Sequence, residues 1–166
     1  MRAITLDEAV RIIQGTFAAA AQRRVRPLSA IVLDAGGRVK AFLKQDGCSM
    51  LRFEIAYGKA YAALALGRSS RLVLQKSREK PIFMANLEKL ADGPMFLEGG
   101  GQLIRDTAGE VIGAIGVTGD VNEMDDLSAV EGIHAAGFKT DYDFTDSAAV
   151  HALNIKEGEL PQAPKR

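Results

Sequence analysis

A chain of 166 residues, 47% hydrophobic and 25% charged, reads as one compact domain able to bury roughly 70% of its unfolded surface. Lys and Arg total 21 and Asp and Glu total 21, so no net field draws the chain to nucleic acid or to an anionic membrane. The single cysteine, Cys48, excludes an intrachain disulfide framework and a Cys-cluster zinc site. With no apolar run of about 18 residues and no signal-peptide core, the cytoplasm is the expected compartment.

Thr5-Leu6-Asp7-Glu8 has the form of a capping box, and Leu6, Val10, Ile13, Phe17 and Ala20 recur at helical spacing, which predicts a helix from Leu6 to Arg23. Pro27 ends that stretch. Leu28 to Leu33 and Val39 to Lys44 then read as strands around the turn Asp34-Ala35-Gly36-Gly37. A helix from Leu51 to Leu66 follows, then a basic helical segment from Arg71 to Glu79 stopped by Pro81, and a short helix from Ile82 to Leu90.

Met95 to Glu98 has the composition of a short strand, and Gly99-Gly100-Gly101 leads into a second hairpin, Gln102 to Asp106 and Glu110 to Thr118, turning at Thr107-Ala108-Gly109. The last strand is apolar on both faces and rich in small residues, so something must pack closely on each side. Asn122 is the expected N-cap of a final helix, Glu123 to Ala136, stopped by Gly137. The expected organisation is one domain over residues 1–138 and a polar C-terminal arm over 139–166. Helices at both ends of the sequence, with a two-sided strand between them, argue for an α/β (α+β) fold: a three-layer α/β/α sandwich around an antiparallel sheet of four or five strands.

The helix from Leu51 carries the strongest functional signal. Ile55, Ala56, Ala60 and Ala63 form an apolar stripe that contains Arg52 and Lys59, and a cation on a buried face needs an anion, whether from a ligand, a subunit or the chain itself. Lys59 is a candidate amine nucleophile or carboxylate anchor; the plainer alternative pairs it with Asp34 or Asp46. Glu123, Asp125 and Asp126, with Asp120 before them, are candidate metal-binding carboxylates, although acids in a first helical turn also complement the helix dipole.

His134 and His151, the only histidines, are candidate axial haem ligands, as are Cys48, Met50, Tyr57 and Tyr61, and the sequence does not choose between them. The glycine run opens a strand, not a helix, and lacks Gly-Lys-Ser/Thr, which argues against a phosphate loop. Asp141, Asp143 and Asp146 lack the glycine and distal glutamate of a calcium loop.

Three blocks together resemble the GlcG/HbpS-like family of haem-binding proteins, which includes the C-terminal domain of PduO-type proteins. They are Leu28-Ser29-Ala30-Ile31-Val32-Leu33-Asp34-Ala35-Gly36-Gly37, then Asp46-Gly47 with Ile55-Ala56-x-x-Lys59-Ala60, then Gly99-Gly100 with Gly113-Ala114-Ile115-Gly116-Val117-Thr118-Gly119. The resemblance spans roughly Ile4 to Gly137. It implies a profilin-like sandwich with a five-stranded antiparallel sheet, homo-oligomers from dimer to octamer, and haem as the cofactor. It carries Asp46, Lys59, Gly99, Gly100 and Gly119 over as site residues and names no axial ligand.

The leading expectation is therefore an oligomeric binding protein for haem or a related anionic apolar ligand, held by Asp46, Arg52, Lys59, Gly99, Gly100 and Gly119. The metal candidates are His134, Asp125 and Asp126. The alternative is a cofactor-free lyase, hydratase or tautomerase acting on a carboxylate metabolite, with Lys59 as anchor and Asp34, Asp46 or Asp120 moving the proton. A third reading buries the apolar helix against a sister subunit with no ligand at all.

Overall fold

The computed structural model describes residues 2–144. In chain order the elements are α1 (Leu6–Gln22), β1 (Ser29–Asp34), β2 (Val39–Lys44), α2 (Arg52–Leu66), α3 (Ser70–Glu79), α4 (Pro81–Leu90), β3 (Gly101–Arg105), β4 (Val111–Thr118) and α5 (Asn122–Ala135), followed by a 3-10 turn, Asp141–Asp143. No helix among the described residues is long and apolar enough to cross a membrane.

The strands form a single antiparallel sheet of four, ordered β2-β1-β4-β3. Among the described residues the fifth expected strand is absent. Met95 to Glu98 makes one backbone bond to α2, Phe96 N to Gly58 O, and no ladder, because the segment crosses over α2 instead of lying beside a strand.

Side-chain alternation along β1 divides the core in two. Ala30 and Val32 join Ile12 and Ile13 of α1, Ile115 and Val117 of β4, and Ala129 and Ile133 of α5. Ile31 and Leu33 join Leu103, Ala114 and the Ala56, Ala60 and Ala63 stripe of α2. Helices thus cover both faces of the sheet, α1 and α5 on one and α2 on the other, which accounts for the apolar alternation on both sides of β4. The α2 contact is close: a Cβ at Gly116 would overlap the Ala56 carbonyl oxygen, so only glycine lets the helix backbone lie directly on β4.

The hairpins turn as their sequences predict. Asp34 Oδ1 accepts from Gly36 N and Arg38 N in the first turn, and Asp106 Oδ1 accepts from Ala108 N and Glu110 N in the second. At the N-terminus of α5 the capping residue is Val121, not Asn122, whose amide donates to Glu98. The end of the described chain closes the β3 edge: Arg105 and Lys139 exchange backbone bonds, and Arg105 Nε donates to Asp141 Oδ1 at 2.6 Å.

Candidate functional site

Strand polarity gathers most of the predicted residues at one end of the sheet. Ser29 at the start of β1 pairs with Lys44 at the end of β2 and with Thr118 at the end of β4, and β3 begins beside them at Gly101. Asp46, Arg52, Gly99, Gly100, Gly119 and Asp120 follow or precede those strand ends, as do the first residues of α5. Asp34 lies at the far end of β1, roughly 17 Å away at ~3.3 Å per residue, and is engaged in its own turn. His134 lies near the C-terminus of α5, its Nε2 2.8 Å from Asp143 Oδ2. Among the described residues no three His, Cys, Asp or Glu side chains converge as a metal site. His151 and Asp146 lie outside the described residues.

Lys59 is 3% exposed, and its anion comes from within the chain. Its Nζ donates to Asp125 Oδ2 at 2.9 Å and to the Val117 carbonyl at 3.1 Å; neither Asp34 nor Asp46 is its partner. Asp125 Oδ1 accepts from Asp120 N at 3.0 Å. Burial pushes the Asp125 carboxyl above the ordinary aspartate range, against the pull of Lys59. Lys59, the carboxylate anchor of the enzymatic reading, is thus paired inside the protein with an aspartate that reading did not name.

Asp126, the next residue, is fully buried and faces a different set of groups. Its Oδ1 accepts from Gly100 N at 2.7 Å and from Gln102 Nε2 at 2.9 Å. Complete burial raises its pKa to about 6, opposed by those two donors and by the Arg71 and Lys59 charges. Gly100 adopts φ +114°, and a side chain there would strike the Val117 carbonyl, so the glycine turn is shaped to let β4 and α5 close around it. Asp120 is held by Arg26: burial would raise its carboxyl, but the backbone N–H groups of Arg26 and Val121 and the Arg26 guanidinium outweigh it and keep it below the ordinary range.

Arg52 behaves differently from Lys59. Half-buried at the first turn of α2, it donates from Nη1 to Thr118 Oγ1 at 2.8 Å, which uses one of its several N–H groups. Around it the surface is apolar and open: Met50 is 84% exposed, Leu51 55% and Phe53 39%. Phe53 begins an aromatic row, edge-on to Phe42 of β2 at 4.9 Å and continuing through Tyr57 and Tyr61 along α2. Residue type alone could not locate this row, because the Phe42–Phe53 contact requires β2 and α2 to be neighbours. Tyr57 and Tyr61 have their hydroxyls committed, to the Gly37 carbonyl and the Asp92 amide respectively.

On the α1 side of the same sheet end, Phe17, Ala20, Val25 and Pro27 floor an open groove of about 520 Å³ with Lys44 and Asp46 on its rim.

The family model described as haem degrading protein HbpS-like matches residues 4–134. No curated protein sequence matches significantly. Among solved structures, the chain is similar to a PduOC–haem complex (TM-score 0.72, 23% identity, covering 84% of this chain and 99% of that one). It is also similar to the Klebsiella pneumoniae protein ORFY (TM-score 0.70, 23% identity, 82% and 92% covered) and to a double mutant of Streptomyces reticuli HbpS (TM-score 0.69, 23% identity, 81% and 87% covered). At these identities the likeness establishes a shared fold.

Proposed function

Since the chain belongs to the HbpS-like family of haem-degrading proteins, we propose that it binds haem or a related flat, apolar, anionic ligand on the face formed by the start of α2 and the adjoining edge of β2. The observation that carries this reading is the exposed run Met50-Leu51-Phe53 with its aromatic row, adjacent to a guanidinium that retains unused donors. The similarity to a PduOC–haem complex supports it.

The residues present fit such a ligand. Phe42, Phe53 and Tyr57 offer a flat apolar wall. Arg52 offers a cation for carboxylates. Cys48 and Met50 are the sulfur donors on this stretch able to meet an iron. When bound, haem would supply redox and ligand-exchange chemistry; the chain's own contribution is to shield one face of the ring and neutralise its acids. Lys59 acts one layer below, anchoring α2 to α5.

An open wall covers only one side of a planar ligand, so a second copy of the chain is the natural second wall, and the functional unit is a homo-oligomer.

The test is a titration of purified protein with haem, oxidised and reduced, followed by the Soret band. Wild type should bind with a shifted band, and Arg52→Ala and Phe53→Ala should each weaken binding about tenfold, or ~1.4 kcal/mol. Absence of a shift in either oxidation state rejects haem as the ligand; unaltered affinity in both variants rejects this face.

A further inference from the structure

Asp126 and Gln102 are completely enclosed, on α5 and β3 respectively, and each leaves one oxygen without a hydrogen bond: Asp126 Oδ2 and Gln102 Oε1. Their other two atoms already meet, Gln102 Nε2 donating to Asp126 Oδ1 at 2.9 Å. Two enclosed acceptors left without a donor among the described residues are costly, about 1–3 kcal/mol each, and the nearby Tyr142 hydroxyl contacts the Gln102 side chain. One hydrogen placed between them would satisfy both.

The geometry points to a proton-binding site. We propose that Asp126 takes up a proton on Oδ2, which then donates to Gln102 Oε1 and closes a cyclic carboxylic acid–amide pair; on losing it, Oδ2 turns to Arg71 as an ion pair. Arg71 supports the second state: its Nε lies 3.8 Å from Oδ2, longer than a hydrogen bond, and is itself enclosed with no acceptor. The same guanidinium donates from Nη2 to the Tyr142 hydroxyl at 2.9 Å, so a shift of Arg71 reaches the C-terminal turn.

The charged and titratable groups facing Asp126 are Lys59 from α2, Arg71 from α3 and Tyr142 from the turn, while the glycine turn and β3 contribute only the Gly100 amide and Gln102. The cations favour the ionised form and burial the neutral one. With a pKa of about 6 against 3.8 for an ordinary aspartate, burial prevails. The folded protein then binds more protons than the unfolded chain between these values. This contribution to stability is full at the acid end and is lost as pH rises through about 6.

The experiment is a carbon-13 NMR titration of the Asp126 carboxyl in the wild-type chain, with the Gln102 side-chain amide followed in parallel. A carboxyl midpoint near pH 6, with the Gln102 amide moving at the same midpoint, is the expected result. A midpoint at or below the ordinary aspartate value overturns proton uptake. A Gln102 amide indifferent to that midpoint overturns the acid–amide pair. Asp126→Asn, which keeps the shape without the titration, adds a second readout: the stability of wild type relative to this variant should decline as pH rises from about 4 to about 6, and a constant difference rejects the site.

Discussion

Lys59 and Asp125 form an ion pair almost stripped of water, so each carries the other's solvation. Lys59→Met leaves the Asp125 carboxylate enclosed with no cation in contact and should cost about 3–5 kcal/mol, measured by urea unfolding. Adding Asp125→Asn removes the stranded charge and should recover part of that loss; a double variant no more stable than the single would mean the lysine stabilises by packing alone. Half of this pair was visible in the sequence: a cation on the apolar face of α2 demanded an anion. Its identity was not, because Asp125 is 66 residues away and reads, from its own surroundings, as an acid complementing a helix N-terminus. Asp126 was hidden for the same reason. A first-turn acid turned inward and one turned to solvent are the same letter at the same spacing.

At the scale of elements, local chemistry was readable and partnership was not. The capping box of α1 is present in both directions, Glu8 N to Thr5 Oγ1 and Thr5 N to Glu8 Oε2, and Arg2 reinforces it with two hydrogen bonds to the Glu8 carboxylate. The Arg2 hydrogen bonds are the main reason the Glu8 carboxyl drops to about 2; burial opposes them, and Thr5 assists. A depressed carboxyl stabilises the fold above its unfolded value and loses that contribution as pH falls toward 2. Glu8→Gln should therefore flatten part of the acid limb of a stability–pH profile, and Glu8→Ala should cost about 1 kcal/mol at neutral pH, both read from thermal or urea unfolding. The hairpins were legible because Asp-x-Gly turns carry their own hydrogen bonds. The segment Met95 to Glu98 has strand-like composition but forms no strand, because strand status depends on a neighbour with a free edge. Here the Phe96 amide is taken by the Gly58 carbonyl of α2. At Gly58 that crossing leaves no space, since a Cβ would meet Phe96 Cβ at 2.7 Å; Gly58→Ala should destabilise by about 1–3 kcal/mol in the same assay.

For the molecule as a whole, the two-layered core explains why a chain this short leaves so much apolar surface at one place. α2 is buried by the sheet along its Ala56, Ala60 and Ala63 stripe, whereas, among the described residues, Met50 and Leu51 before it and Phe53 in its first turn are left exposed. The β3 edge is closed by Lys139, whereas β2, among the described residues, pairs only with β1 and carries Lys40 and Lys44 in its sequence, a pattern that discourages indiscriminate strand addition. On the proposed reading, with a formal net charge of zero supplying no long-range repulsion between copies, association would fall on the α2 face. Sedimentation of wild type at micromolar concentration should therefore show an oligomer, and Phe53→Lys, which places a charge in the aromatic row while sparing both cores, should shift it toward monomer and weaken haem binding in parallel. Monomeric wild type would remove the second copy as the opposite wall. An oligomer that survives Phe53→Lys would place its interface elsewhere, with α4 the next surface to probe, because Ile82 and Leu90 there are each about 80% exposed.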